Sequence, residues 1–329
     1  MHTIRFWLNN ARSTSLPQSL LPAVLAVCVA SQVPGFSIYL GLLAVIGVIM
    51  AHLSLNLFDD YFDYRVKGAE FRDAMARKGF RARIAKCHYI TSGEVTLPQL
   101  LKACFIFGAI ALVAGCIIWW FRGNFVLWIT LIALLLGISY SGAPLRLSYH
   151  GLGEIVIGIM FGPLSMTGVY YAACGHFDWS IVFISVPVGL LVANIVYAHA
   201  IMDYEPDKEA GKMTFAVLLK DRRWMLFCLF LLLVASYGCI IGGVWAGYLS
   251  KYYLFTLLTV PMAASLFYLM VEFVRHPEKK FSPRFWMGPM GDWKRIEAYQ
   301  LDWFMIRWLS ARNLLSFFCL ILIIVGFIA

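Results

Sequence analysis

The feature that most constrains this chain is a series of nine apolar stretches along its length. They lie near residues 17–33, 36–58, 98–120, 124–141, 152–174, 180–202, 224–248, 252–274 and 311–328. A helix that crosses a bilayer needs roughly 17 to 25 predominantly apolar residues. Because hydrocarbon cannot solvate backbone N–H and C=O groups, a segment that spans it pairs these groups internally as a helix. The sequence therefore predicts an all-α, polytopic membrane bundle of nine transmembrane helices.

The composition supports this class and excludes an ordinary soluble enzyme. Of 329 residues, 61% are apolar and only 14% are charged, whereas soluble domains average about 25% charged residues. Since packed spans form one bundle, we expect residues 1–329 to be a single domain. The net charge of +9 is explained by the excess of Lys and Arg that membrane proteins carry on their cytoplasmic side. A nucleic-acid partner is therefore not expected.

The basic residues predict the orientation of the spans. If the N-terminus is cytoplasmic, all but two of the 27 Lys and Arg residues, Arg122 and Lys251, fall in inner segments or the span ends beside them. Membrane proteins concentrate Lys and Arg on the cytoplasmic side. We therefore expect the N-terminus inside and the C-terminus outside.

A first acidic cluster stands at the end of the second apolar stretch, in Asn56-Leu-Phe-Asp59-Asp60-Tyr-Phe-Asp63. On a helix, Asn56 lies four residues before Asp60 and Asp63 three residues after it, so their oxygens share one face. Asp59 is turned by about 100° from that face. Carboxylates so close together at the mouth of an apolar bundle repel each other, and a divalent cation would remove that repulsion. The alternative interpretation is a solvated helix end that carries these charges without binding a metal ion.

A second acidic cluster follows the sixth stretch, in Asp203-Tyr-Glu-Pro-Asp207-Lys-Glu-Ala-Gly211. Each cluster follows the second helix of a four-helix set, which predicts a diverged duplication with halves at roughly 17–141 and 152–274. Oxygen ligands at helical spacing favour Mg²⁺, which is usually shared between one or two carboxylates and substrate phosphates. Two such clusters at one membrane face can hold two Mg²⁺ ions around a diphosphate.

These two segments resemble the motifs of the UbiA-type intramembrane prenyltransferases, NxxxDxxD after the second span and DxxxDxxxGxxT after the sixth. The matching residues are Asn56, Asp60, Asp63, Asp203, Asp207, Gly211 and Thr214. The tract from Tyr140 to Glu154 resembles in particular the 1,4-dihydroxy-2-naphthoate polyprenyltransferases of menaquinone synthesis. The similarity covers roughly residues 16–225.

Three features depart from that subgroup. Asp59 stands where the subgroup usually has Asn, and His199–Met202 replaces a segment that usually carries two Asn and an Arg. A basic, Trp-containing insert at 277–299 has no counterpart, and its composition predicts an amphipathic segment at the membrane surface.

The resemblance implies Mg²⁺-dependent transfer of a polyprenyl group from a prenyl diphosphate to an aromatic acceptor, expected to be 1,4-dihydroxy-2-naphthoate. The expected metal ligands are Asp60, Asp63, Asp203, Asp207 and Asn56. The expected catalytic residues are the four aspartates with Tyr140 and Arg146. The expected substrate-binding residues are Asn56, Arg83, Lys86, Tyr149, Glu154, Asn194 and Lys212.

Two alternatives stay open at the level of sequence. The first is prenyl transfer to a benzoate or a glyceryl phosphate. The second, from a different class, is a cation-coupled transporter, although the site of a transporter is expected near the bilayer midplane, whereas both clusters here stand at one rim.

Overall fold

The computed structural model describes residues 3–65, 87–209 and 211–328. Within these ranges the regular structure is helical, with one isolated bridge between His150 and Met213, so the predicted all-α architecture is confirmed. The chain divides into two compact units. The first comprises Met1–Tyr149 and Leu164–Phe177, and the second comprises His150–Pro163 and Asp178–Ala329. Whether the chain is one duplicated domain stays a prediction.

The described α-helices are numbered here in chain order. Those of the N-terminal part are α1 Ile4–Asn10, α2 Pro17–Ala30, α3 Ile38–Arg65, α4 His88–Thr91, α5 Leu97–Arg122, α6 Asn124–Ser141, α7 Gly153–Ile159 and α8 Ser165–Cys174. Those of the C-terminal part are α9 Trp179–Met202, α10 Tyr204–Glu209, α11 Phe215–Leu219, α12 Arg222–Trp245, α13 Val260–Arg275, α14 Trp293–Ala298 and α15 Asp302–Ile328.

Eight helical segments in the described ranges are long and apolar enough to cross a membrane, and they coincide with eight of the predicted stretches. The remaining stretch, 17–33, forms the 14-residue helix α2, which is shorter than the roughly 17 residues that a crossing needs. The protein is an integral membrane protein. The count of nine spans and the orientation of the termini stay predictions.

In the first unit, α3 packs along α5 through small side chains. A Cβ atom on Gly108 would lie 3.2 Å from the hydroxyl of Ser54, and one on Gly47 would lie 3.5 Å from the Cβ of Ala114. The Ser54 hydroxyl donates to the carbonyl of Cys104, at 2.9 Å. These close contacts fix the end of α3, which carries the first acidic cluster.

In the second unit, α9 is the central helix and packs against α7 by backbone contact. A Cβ atom on Gly162, in the turn Met160–Leu164 that follows α7, would lie 2.4 Å from the Cα of Gly189. At the other end of α9, the Tyr197 hydroxyl donates to the carbonyl of Met225 on α12, at 3.0 Å. These contacts hold the end of α9, where the second acidic cluster begins.

The insert between α13 and α15 is folded onto those two helices. Met287 and Met290 are buried in a small apolar cluster with Leu269 and Ile306, and the Asn313 amide donates to the Met287 carbonyl at 2.9 Å. The adjacent Phe285 is 92% exposed. One side of the insert is thus packed on the unit, and the other side exposes apolar and basic groups. Its placement at the membrane surface stays a prediction.

Candidate active site

The first acidic cluster lies on the last two turns of α3 and is buried. Asp60 is 1% exposed and Asp63 is 3% exposed. Buried carboxylates need charge or hydrogen-bond partners, because the loss of hydration otherwise costs several kcal/mol. Asp60 and Asp63 are both stabilised by hydrogen bonds or an ion pair within the first unit.

Asp60 is held between a guanidinium and a phenol. Nη2 of Arg12 lies 3.2 Å from Oδ1 of Asp60, and the Tyr89 hydroxyl donates to Oδ2 at 3.1 Å. Burial and the negative charge of Asp60 raise the pKa of Tyr89 above its usual range. The phenol therefore stays protonated at neutral pH and serves as a hydrogen-bond donor.

Asp63 and Asp59 are held by residues that lie far along the chain. The Tyr149 hydroxyl donates to Oδ1 of Asp63 at 2.6 Å. Asp59 accepts from the Ser141 hydroxyl through Oδ1 and from Nη2 of Arg12 through Oδ2, at 3.1 Å. Asp59 therefore shares a cation with Asp60, although the two residues project from α3 in different directions.

Asn56 is tied to the N-terminal segment by its amide nitrogen, which donates to the carbonyl of Ala11 at 2.9 Å. That bond fixes the side chain and leaves the amide oxygen as the atom able to coordinate a cation. One turn earlier, both ring nitrogens of the buried His52 lie near hydroxyls, 2.7 Å from Ser19 and 3.3 Å from Ser15. His52 therefore packs α3 against the start of α2.

The second acidic cluster is formed by a continuous backbone turn. Asp203 ends α9 and is 6% exposed, while Asp207, in α10, is fully buried. The amide of Asp207 donates to the carbonyl of Asp203, and the amide of Lys212 donates to the carbonyl of Asp207, both at 2.8 Å. Gly211 has a φ of 68°, a left-handed conformation that favours glycine. The expected i,i+4 spacing of the two aspartates is therefore preserved through Pro206.

Glu154 lies at the start of α7 and is 5% exposed. Its Oε1 accepts a hydrogen bond from the backbone amide of Phe215, at 3.3 Å, so it satisfies a donor of the first turn of α11. Glu154 thus has a structural partner on the segment that follows the second cluster. On the same segment Thr214, which precedes α11, has a buried hydroxyl without a hydrogen-bond partner among the described residues.

The remaining predicted residues are placed as follows. Tyr140 ends α6 in a half-buried position. Arg146 follows in a left-handed turn with a φ of 43°. Asn194 is fully buried in α9, and neither polar atom of its amide has a hydrogen-bond partner among the described residues. Arg83 and Lys86 lie outside the described residues.

The sequence reasoning missed Arg12, Tyr89 and Ser141. Arg12 lies between α1 and α2, Tyr89 lies in the short helix α4, and Ser141 ends α6. These positions share no sequence motif with α3. The one signal in the sequence is that Arg12 stands just before the first apolar stretch, where a basic residue also fits the positive-inside pattern.

The donor atoms fit a magnesium site of the kind that is completed by substrate. In the part of the chain that the structure describes, no three His, Cys, Asp or Glu side chains form a metal-binding group. Mg²⁺ is usually bound by one or two carboxylates together with phosphates and water, not by an all-protein cage. Each cluster offers two buried carboxylates, Asp60 with Asp63 and Asp203 with Asp207, so the residues present fit the ion.

Comparison with known proteins decides the family. The model of the UbiA prenyltransferase family matches residues 19–289. The chain belongs to this family. It is therefore a prenyltransferase that works in the membrane, and the predicted membership of the UbiA-type family is confirmed.

Individual relatives are distant but extend over most of the chain. A UbiA prenyltransferase domain-containing protein 1 homologue from Drosophila melanogaster is 28% identical over 79% of this chain and 70% of its own length. A 1,4-dihydroxy-2-naphthoate octaprenyltransferase from Mycobacterium tuberculosis is 24% identical over 72% of this chain and 80% of its own.

The fold is shared with solved structures of the family. A UbiA homologue from Archaeoglobus fulgidus, bound to GPP and Mg²⁺, superposes with a TM-score of 0.61 over 96% of this chain and 99% of that one, at 16% identity. At this identity the likeness concerns the fold alone.

Proposed function

We propose that this protein transfers a polyprenyl group from a prenyl diphosphate to 1,4-dihydroxy-2-naphthoate, in menaquinone synthesis, and that it requires Mg²⁺. The observation that carries the metal half of the proposal is the burial of two carboxylate pairs, Asp60 with Asp63 and Asp203 with Asp207, in a chain of this family. Paired carboxylates of this kind are the ligands that Mg²⁺ takes together with the phosphates of a substrate.

In this proposal each residue has a defined task. The four aspartates and the amide oxygen of Asn56 would hold two metal ions. Such ions would neutralise the negative charge of the diphosphate as it leaves. Arg146 and Lys212 contact the diphosphate by charge-assisted hydrogen bonds. The same role is proposed for Arg83 and Lys86, outside the described residues.

The carbon fragment left by departure of the diphosphate is an allylic cation, and the chain protects it in two ways. The ring of Tyr140 offers a π face that attracts a cation. The apolar helices exclude water, which would otherwise capture the cation. The composition of the spans suits both tasks.

The acceptor is held by the few polar groups near the clusters. Tyr149, which already donates to Asp63, Glu154 and the buried amide of Asn194 are proposed to orient it. A ring with two hydroxyls is electron-rich, so the enzyme needs to position it and exclude water without supplying a strong base. The ring forms a bond to the prenyl carbon and loses its carboxylate as CO₂, while diphosphate departs.

The identity of the acceptor is supported by two observations. The Mycobacterium relative is named for this naphthoate, and the tract from Tyr140 to Glu154 resembles the same subgroup. In this proposal the enzyme works on the inner face of a bacterial cytoplasmic membrane, where a water-soluble diphosphate head can reach the clusters.

The test is an acceptor panel with purified protein, Mg²⁺ and radiolabelled prenyl diphosphates of several chain lengths. We expect turnover with 1,4-dihydroxy-2-naphthoate and a lipid-soluble product. Turnover with a benzoate or a glyceryl phosphate, and none with the naphthoate, would refute the acceptor while leaving the metal half of the proposal intact.

A further inference from the structure

Arg12 occupies an unusual backbone position between α1 and α2. Its φ of 59° and ψ of 48° are those of the left-handed region, which a residue with a Cβ atom adopts at a cost. Such a conformation persists where the surrounding contacts determine it. The contacts of this residue therefore need an explanation.

One nitrogen of the guanidinium lies close to three acceptor oxygens of α3. Nη2 of Arg12 lies 2.7 Å from the carbonyl oxygen of Asn56, 3.1 Å from Oδ2 of Asp59 and 3.2 Å from Oδ1 of Asp60. Asp60 is 1% exposed, and a buried carboxylate is stabilised by a nearby positive charge. The guanidinium of Arg12 supplies such a charge.

The loop that carries Arg12 is itself fastened to α3. The Asn56 amide donates to the carbonyl of Ala11 at 2.9 Å, and the Ser15 hydroxyl donates to the carbonyl of Arg12 at 2.7 Å. Ser15 also lies 3.3 Å from the ring of His52. The N-terminal segment thus delivers one positive charge to a defined carboxylate oxygen.

The two oxygens of Asp60 are held by partners of different charge. Oδ2 accepts from the neutral phenol of Tyr89 at 3.1 Å, and this bond can remain when a metal ion binds the other oxygen. Oδ1 faces the guanidinium, and a divalent cation on Oδ1 would meet a like charge within a few ångströms. The cation and Arg12 therefore compete for the same oxygen.

We propose that Arg12 is a positioning residue that acts through Asp60: it is a tethered counter-cation that neutralises the first acidic cluster and yields Oδ1 of Asp60 to the incoming divalent ion. This inference rests on the proposed function, in which Asp60 is a metal ligand. It explains how Asp60 tolerates burial beside the partly buried Asp59 before a metal ion is present. It also makes metal binding weaker than the carboxylates alone would allow.

The test measures Mn²⁺ binding in the absence of any substrate. The full-length protein is placed in nanodiscs of zwitterionic lipid, and free Mn²⁺ is followed by electron paramagnetic resonance. An Asp207→Asn background restricts the measurement to the first cluster. In this background Arg12→Gln is expected to lower the dissociation constant by about tenfold, because a like charge beside the ion is removed.

Arg5→Gln is the matched control, since Arg5 is an exposed arginine of the same N-terminal segment and its loss changes the net charge equally. We expect this variant to leave the dissociation constant unchanged. If Arg12→Gln binds Mn²⁺ with unchanged or lower affinity, or if Arg5→Gln tightens binding as much, the proposal is wrong.

A second measurement needs no Arg12 variant and so does not depend on how such a variant folds. Hydrogen exchange of the wild-type protein is followed with and without Mg²⁺. The backbone amides of Ser15 and Leu16 donate to the carbonyls of Arg12 and Ser13, and their exchange is expected to accelerate when Mg²⁺ releases the guanidinium. Unchanged or slower exchange would contradict the proposal.

Failure of the proposed function has a different signature. If the Asp207→Asn protein binds no Mn²⁺ even with inorganic diphosphate present, or if Asp60→Asn in the same background binds it unchanged, Asp60 is not a metal ligand and the metal half of the function fails. A tight, Asp60-dependent site that is insensitive to Arg12 would overturn this inference alone.

Discussion

The two acidic clusters have similar sequence spacing, but they are built in different ways. In the first unit, the side chains of Asp60 and Asp63 are fixed by Arg12, Tyr89 and Tyr149. These partners come from three separate places in the chain. In the second unit, backbone hydrogen bonds fix the relative positions of Asp203 and Asp207. The amide of Asp207 donates to the carbonyl of Asp203, and the amide of Lys212 donates to the carbonyl of Asp207.

The difference shows what each cluster depends on. The first is organised by tertiary hydrogen bonds, each of which one substitution can remove without altering the backbone. The second is organised by a local turn, so its geometry depends on backbone conformations such as the positive φ of Gly211. Side-chain variants should therefore disturb the first cluster, and backbone variants should disturb the second.

The largest effect should come from removal of a carboxylate in either cluster. We expect Asp60→Ala, Asp63→Ala, Asp203→Ala and Asp207→Ala each to lower kcat/KM for prenyl transfer by about 100-fold or more, because each removes a proposed metal ligand. The measurement is the initial rate with radiolabelled prenyl diphosphate, with circular dichroism to show that each variant is folded.

Asp221→Ala is the matched control for these variants. Asp221 is an exposed aspartate whose carboxylate caps α12 by accepting from the amide of Arg223, at 2.7 Å. Its loss should cost about 1 kcal/mol of stability and leave the rate unchanged. Full activity in any two of the four aspartate variants would refute the proposed two-cluster site.

A smaller effect should follow loss of one hydroxyl from the first cluster. Tyr149→Phe removes the 2.6 Å hydrogen bond to Asp63. Hydrogen bonds to charged groups contribute about 1.5–3 kcal/mol to stability, so we expect a lower Tm. Because Asp63 is a proposed metal ligand, we also expect kcat/KM to fall by about tenfold. Steady-state kinetics and a thermal melt measure the two quantities.

Tyr197→Phe provides the comparison. This variant also loses one buried hydrogen bond, from the Tyr197 hydroxyl to the carbonyl of Met225, but that bond does not involve either acidic cluster. It should lower stability by about 1 kcal/mol and leave kcat/KM near the wild-type value. Equal loss of activity in both variants would mean that the effect of Tyr149 is only structural.

The smallest effect should come from a backbone change in the second cluster. A Cβ atom on Gly211 would meet nothing within 4 Å, so Gly211→Ala acts through its φ of 68° alone. The left-handed conformation costs roughly 1–2 kcal/mol for a residue with a Cβ atom, and we expect a several-fold loss of activity as Asp207 shifts. Gly238→Ala, in α12, has the same open surroundings without a positive φ and should retain full activity.

The sequence predicted what depends on local spacing. The apolar stretches predicted eight helical segments that are long and apolar enough to cross a membrane. The i,i+4 relation of Asp203 and Asp207 appears as an unbroken backbone turn. These features are encoded within a few residues, so a single sequence suffices to find them.

What the sequence could not predict depends on tertiary packing. Arg12 reaches Asp60 across 48 positions of the chain, and no spacing rule joins them. Asp59 was expected to lie off the common face, yet Arg12 links it to Asp60. Glu154 satisfies the amide of Phe215, a contact that exists only once α7 and α11 are packed in the second unit.

The measurement that tests the central claim most directly is the metal dependence of product formation. Purified protein is incubated with a prenyl diphosphate and 1,4-dihydroxy-2-naphthoate, first with EDTA and then with excess Mg²⁺, and the product is identified by mass spectrometry. We predict no product with EDTA, and with Mg²⁺ a prenylated naphthalene that has lost CO₂. Equal turnover with EDTA, or a folded protein that forms no prenylated naphthalene with Mg²⁺, would contradict the account.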